Sequence, residues 1–409
     1  MINRVRIPAA VFLLLFISVG GYYVYQNSRN VQGDDTVDAC NSYAFKLYGL
    51  YGESGENVIF SPYSISTCMS MVYEGARGET AKEMQHVFGW EKRDTYRLSA
   101  NKYLYDRLND PKSECEVSNA NALWVQDGFT FEEDYIGVVE EDYGGEVTTV
   151  DFARSVETRE VINTWVENRT KGKIQDLLSR KMIHADVRFV LTNAVYFKGD
   201  WVNEFNPART REAPFYLIDG GSVTAEMMYI KDTSFNYTET ADVQVVELPY
   251  KGGRYSMVIV LPKENNLDEV EKDVTVENYF RWLSAMNEEE LVISVPKYKL
   301  ENKYDMKEDL IEMGMPLAFT PEADLTKLSS VQGLFIENVV HQAYVEVNEK
   351  GTEAGAATGA SGTLSIPKGV RFIVDHPFLF TIMDRETGLI LFLGRMMDPS
   401  QNQQNGSEG

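Results

Sequence analysis

The chain has 409 residues, 62 of them acidic and 39 basic, for a formal charge of −23. At roughly 150 residues per domain this length allows two or three domains or one large one, and 44% hydrophobic with 25% charged residues excludes wholesale disorder. A negative field with no compensating Lys/Arg cluster excludes nucleic acid and anionic lipid as partners, while three cysteines and four histidines exclude a disulfide scaffold and a His-rich metal array.

Arg4 and Arg6 precede an uncharged run of 22 residues from Ile7 to Ser28, enough to span a bilayer as a helix. Gly20-Gly21 followed by Tyr22, Tyr23 and Tyr25 reads as an interfacial aromatic edge more than as a small-residue cleavage site. Residues 1–33 are therefore expected to be an N-terminal membrane anchor or a signal peptide. Basic residues before the run and Asp34, Asp35 and Asp38 after it put the N-terminus in the cytoplasm and the rest outside, extracellular or at the cell surface.

Beyond it, Val37, Cys40, Ala44, Leu47 and Tyr51 form a helical stripe that stops at Gly52. A short strand, Val58-Ile59-Phe60, meets Ser61-Pro62, an N-cap followed by proline at the first helical position, and the helix so started is expected to reach Gly75. Strand-length apolar runs follow at 120–125, 188–197, 243–248, 255–261, 291–295 and 339–347. Val161, Ile162, Trp165 and Val166 give the stretch 157–170 the spacing of an amphipathic helix lying on a sheet. Near the end, 372–383 and 389–397 flank Asp384-Arg385-Glu386-Thr387-Gly388, a hairpin signal. The order predicts an α+β fold with large, mainly antiparallel sheets and no Pro/Gly-rich linker. Residues 34–400 are expected to be one domain, with 401–409 a disordered polar tail.

One segment differs in texture. Glu349 to Pro367 holds four glycines and four alanines and has no large side chain before Leu364, although it lies between two strong strands. So long a stretch without a core anchor is a disordered or a functional loop. Were it to become a strand, one face would carry Thr352, Ala354, Ala356, Thr358, Ala360 and Gly362, all small, and the other Glu353. Small residues can slide between existing strands without overpacking, and the charge would stay in water.

At this point the residues resemble the serpin family. Glu349-Lys350-Gly351-Thr352-Glu353-Ala354 is similar to the serpin hinge, and Phe372-Ile373-Val374-Asp375-His376-Pro377-Phe378-Leu379-Phe380 resembles the C-terminal signature. The blocks 57–65, 170–174 and 191–201 match others, so the resemblance runs from about Val37 to Pro399. It implies three mainly antiparallel β-sheets, eight or nine helices and an exposed reactive-centre loop. It also implies the suicide-substrate mechanism: a serine protease attacks the loop, forms an acyl-enzyme, and is trapped when the cut loop inserts into the main sheet, the strand addition and stored strain for which serpins serve as a standard example.

Carried over residue by residue, the resemblance makes Gly351, Thr352, Glu353, Ala354, Gly355, Ala356 and Ala357 the hinge. Family spacing puts the reactive bond between Ser365 and Ile366, or one residue earlier between Leu364 and Ser365. Neither specificity residue is basic, so elastase-, subtilisin- or chymotrypsin-like targets are expected. Ser61, Ser64, Asn193 and His341 match a sheet-opening cluster, and Trp201, Lys297 and Glu349 match the top of the sheet, where a Lys297–Glu349 ion pair counts only if partly buried. Gly355 and Gly359 lower strand propensity, so the alternative is a non-inhibitory serpin acting as a membrane-tethered binding protein. No metal or cofactor is expected, the protein is expected to be a monomer, and an enzyme is not expected, because His86, His184, His341 and His376 flank no Gly-x-Ser-x-Gly turn.

Overall fold

The computed structural model describes residues 34–52, 55–331, 333–352 and 369–401. The segment 1–33, hinge residues Glu353 to Ala357, the reactive-bond residues Leu364, Ser365 and Ile366, and the tail after Gln401 lie outside the described residues.

Chain order is α1 (Asp34–Tyr51), β1 (Val58–Phe60), α2 (Pro62–Gly75), α3 (Gly78–Phe88), α4 (Asp94–Leu108), β2 (Glu116–Gln126), α5 (Glu133–Tyr143), β3 (Glu146–Val150), α6 (Ser155–Arg169) and β4 (Phe189–Asp200). It continues with β5 (Arg211–Tyr216), β6 (Ser222–Glu239), β7 (Val243–Pro249), β8 (Tyr255–Pro262), α7 (Leu267–Glu271), α8 (Val276–Ser284), β9 (Asn287–Pro296), β10 (Tyr298–Asp305) and α9 (Lys307–Glu312). The last strands are β11 (Asn338–Val347), β12 (Gly351–Thr352), β13 (Val370–Ile373), β14 (Phe378–Asp384) and β15 (Ile390–Met396).

Among the described residues, a six-stranded sheet in the order β10-β11-β12-β4-β2-β3 forms one layer. Only two residues of β12 separate β11 from β4; below them these strands pair directly and in parallel, from Asn338 opposite Val190 to Tyr344 opposite Tyr196. The other strands form a nine-stranded sheet, β1-β15-β14-β8-β7-β6-β9-β13 with β5 on β6. The long β6 shifts register between Ile230 and Thr233 and joins two sub-sheets, its first half carrying β5 and its second β7. β4 shows why the first sheet is central. Its Leu191 and Val195 face the inter-sheet core, while Val190, Ala194 and Tyr196 pack with Ile162 and Val166 of α6, so both faces are covered and the strand reads as a continuous apolar run.

Two expectations change. The strand expected over 372–383 is split: β13 pairs in parallel with β9, and β14 begins only after Pro377, which has no N–H for a ladder. The β14–β15 hairpin itself is present, its turn held by the Asp384 carboxylate accepting from the backbone N–H groups of Glu386 and Thr387, 2.9 Å each. Val161 is 54% exposed, whereas Ile162 and Val166 are fully buried, because adjacent helical positions diverge by about 100°. Cys40, Cys68 and Cys115 are free and buried, and burial pushes the Cys115 thiol up to about 12, which leaves it a poor nucleophile.

Candidate functional site

The site is the seam between β4 and β11, with the first hinge residues at its upper end. Gly351 stands opposite Asp200 and Thr352 opposite Gly199 on β4, while Thr352 also pairs with Val347 on β11. A Cβ on residue 351 would lie 2.0 Å from the Gly199 carbonyl oxygen, so glycine is required by the closeness of the two backbones. Thr352 is fully buried, its Oγ1 2.7 Å from the Tyr250 hydroxyl. Tyr250 in turn stacks on Trp201 with ring centroids 4.4 Å apart and planes 14° off parallel.

Trp201 holds the strand leading into the hinge. Its indole N–H donates to the Asn348 carbonyl at 3.0 Å, and its backbone N–H donates to the Lys350 carbonyl at 2.7 Å. Lys297 lies 3.5 Å from the Glu349 carboxylate and 3.4 Å from that of Glu226. The Lys297 and Glu349 side chains are 29% and 13% exposed, so this pair meets the condition of partial burial. Burial opposes ionisation of Glu349, but the Thr210 hydroxyl at 2.7 Å, a backbone N–H and Lys297 together hold its carboxyl below the usual range. Thr210 and Tyr250 carry no local sequence signal; only the tertiary fold brings them to the hinge.

Below the hinge, β4 and β11 meet over a polar cluster. Pro62 and the Ser61 cap start α2 against the seam: the Ser64 backbone N–H donates to Ser61 Oγ at 3.2 Å, and the Ser61 backbone N–H donates to His341 Nε2 at 3.0 Å. With Nε2 accepting, the ring proton sits on Nδ1 and is donated to the Asn193 side-chain oxygen. The Asn193 amide donates to the Ser64 carbonyl at 2.9 Å, and also to Ser64 Oγ and Asn121 Oδ1. Ser64 Oγ donates to Asn119 Oδ1 at 2.7 Å. The four cluster residues expected from sequence are thus in mutual contact, and Asn119 and Asn121 of β2 join them. A signal for these two existed: they interrupt the core-facing positions Val117, Leu123 and Val125 of one alternating strand.

Burial of His341 drives its imidazole to the neutral form, with its pKa pushed down to about 3. A base depressed in the folded state is protonated first in the unfolded chain, so stability is lost as pH falls from about 6.5 toward 3. The loss attributable to His341 is on the order of 3 kcal/mol at pH 4. Denaturant unfolding of wild type and His341→Asn at pH 7 and pH 4 checks this: the variant is expected to be less stable at pH 7 but to lose less on acidification. Equal pH slopes would refute it.

Chemically, the arrangement offers exchangeable hydrogen bonds along the line where β4 and β11 meet. Among the described residues no group of three or more His, Cys, Asp or Glu could hold a metal ion, and no helix is long and apolar enough to cross a membrane.

A family model described as Serpin (serine protease inhibitor) matches residues 38–399. A serpin-like protein of Thermococcus kodakarensis is 41% identical over 381 residues, covering 92% of this chain and 88% of its own. The leukocyte elastase inhibitor of Xenopus tropicalis is 37% identical, covering 90% of this chain and all of its own. Among solved structures, Serpin48 of the insect Tenebrio molitor superposes with a TM-score of 0.82 at 31% identity, over 90% of this chain and all of that one. Uncleaved ovalbumin gives 0.81 at 28% identity, over 89% of this chain and all of that one.

Proposed function

The chain belongs to the serpin family, and from that premise we propose that it is a suicide-substrate inhibitor of serine proteases whose cut loop inserts along the β4–β11 seam. The observation that carries this reading is Thr352, already seated between the two strands at the top of the seam. That register, continued without a break, would set the pairing of the inserted loop. Residue numbers paired across β12 and β4 sum to a constant, so Ala354 would meet Phe197, Ala356 would meet Val195, and Thr358 would meet Asn193 on one side and His341 on the other. The inserted face toward the core is then alanine and threonine, as a closely packed interior requires. Thr358 brings one hydroxyl to the level where the bond between His341 and Asn193 must open, and a hydroxyl both donates and accepts. In the same register Glu353 would pair with the exposed Lys198, on the opposite face.

The inhibitor supplies no nucleophile on this reading. The protease serine attacks the carbonyl of Ser365, or of Leu364, forming an ester and freeing the amine of the next residue, whose chain stays in the nine-stranded sheet through β13, β14 and β15. Insertion then outruns hydrolysis of that ester, driven by ladder hydrogen bonds available only after cleavage. The absence of a basic specificity residue supports an elastase-, subtilisin- or chymotrypsin-like target. We further propose that the domain acts as a monomer outside the membrane, held by or released from the segment 1–33; the basic-before, acidic-after charge asymmetry supports that side.

Incubation of residues 34–409 with elastase- and subtilisin-like proteases tests the proposal. A denaturant-resistant complex of inhibitor and protease is expected, with release of a fragment starting at Ile366 or Ser365. Complete cleavage without any trapped protease would identify a substrate or a binding protein instead.

A further inference from the structure

We infer that Tyr196 of β4 and Tyr344 of β11 read the strand that enters the seam, and that they admit glycine in preference to any larger residue at the one position that passes between them. This rests on the insertion reading above. The two tyrosines stand directly opposite each other across the β4–β11 ladder, with ring centroids 6.4 Å apart in an edge-to-face arrangement. Both are buried, on the sheet face turned toward Ile162 and Val166 of α6. Tyr344 is braced by groups on its own side of the seam. Its hydroxyl donates to the Glu346 carboxylate at 2.8 Å, and the Lys299 ammonium of β10 lies 4.9 Å from its ring centroid.

The register fixes which residue meets them. Thr352 pairs with Gly199 on one side and Val347 on the other, so further along the same strand residue 355 would face Tyr196 and Tyr344 together. The sequence supplies glycine there. An inserted strand sets the two tyrosine backbones two strand spacings apart, about 9.6 Å. Rings at that separation stay in contact only by leaning over the strand between them, into the space where a Cβ of the middle residue would stand. Glycine leaves that space empty, and the rings in turn cover its backbone, the exchange by which aromatic neighbours rescue a glycine in a sheet. Alanine would wedge its methyl between the rings. The same register sets Gly359 between Thr192 and Val340, neither of them aromatic, so nothing favours glycine there. Of the two glycines that lower strand propensity in the loop, only Gly355 is matched by what it would meet.

A competition between peptides tests this without a protease. Synthetic peptides spanning Glu353 to Thr363 of this chain, one native and one carrying Gly355→Ala, are mixed in equal amounts with the uncleaved protein, and mass spectrometry of the intact complexes gives the ratio bound. Strand propensity alone favours alanine about threefold. The wild-type protein is expected to reverse this and take the native peptide in about threefold excess, a coupling of about tenfold, within the range of one aromatic pair. With Tyr344→Ala the alanine peptide should win by about threefold. Tyr196→Leu guards against a folding defect in Tyr344→Ala and is expected to lose the preference for glycine. A third peptide, carrying Gly359→Ala, is expected to bind about threefold better than the native one. Equal uptake, or an excess of the Gly355→Ala peptide on the wild-type protein, would overturn the inference while leaving insertion intact. A glycine preference that appears at 359 too, or that survives both tyrosine substitutions, would overturn it as well. If no peptide anneals, insertion itself fails and this inference falls with it.

Discussion

Thr352→Arg is expected to convert the protein from a trap into an ordinary substrate. Thr352 is fully buried, with Tyr250 against its hydroxyl and Gly199 and Val347 on either side. The space admits little beyond the threonine hydroxyl and methyl, and the nearest polar group is a tyrosine that cannot neutralise a guanidinium. Burying that charge unpaired costs several kcal/mol, so the variant's residue 352 is expected to leave its seat in the intact chain, and the cost then falls on the first step of insertion, which must return it there. Hydrolysis of the acyl-enzyme is untouched. About 3 kcal/mol on one branch of a two-way partition shifts it by roughly a hundredfold, so the number of inhibitor molecules consumed per protease trapped should rise by that order. Thr352→Ser, which keeps the hydroxyl and nearly the size, is the control and should trap nearly as well as wild type. Titration of protease activity against inhibitor reads both. If Thr352→Arg traps as efficiently as wild type, insertion does not begin at this residue.

The variant also separates the two uses of the hinge. In the intact protein Trp201, Lys297 and Glu349 hold the strand just before Gly351, so a substituted arginine side chain that swings out to solvent should lower native stability only modestly. A large loss of native stability would mean that Thr352 serves the resting fold rather than insertion.

Much of this site was legible before any coordinates. The Ser61-Pro62 pair announced a helix start, and the family resemblance put Ser61 in a polar cluster with Ser64, Asn193 and His341; the structure has that serine capping α2 while its N–H reaches His341. The loop's alternation of small residues gave the face that would be buried. What could not be read were partners that only tertiary register supplies. Asn121 meets Asn193 because β2 and β4 pair antiparallel at those residues, and Thr210 reaches Glu349 across 139 positions of chain. Errors came from local pattern overruled by packing. Val161 fitted the helical spacing loosely and faces water, and the expected long strand over 372–383 broke because its N-terminal part is taken by β9.

The central claim is that β4 and β11, paired directly below β12 in the intact chain, part to admit the cut loop as a new strand between them. The inserted strand adds about twelve residues that form ladder hydrogen bonds alternately with β4 and with β11, in the middle of the six-stranded sheet, and these outnumber the bonds of the parallel ladder they replace. At a net contribution near 1 kcal/mol per bond this is about 10 kcal/mol, and for a domain of this size about 2 °C per kcal/mol gives a rise of roughly 20 °C. A mere nick in an exposed loop does the opposite or nothing, because it only frees chain ends. The decisive measurement is therefore the melting temperature of the intact chain beside that of the same chain cut within the loop by a protease it does not trap. A rise of about 20 °C is predicted, and Thr352→Arg should abolish most of it. Superimposable melting curves for intact and cleaved wild type would contradict the account.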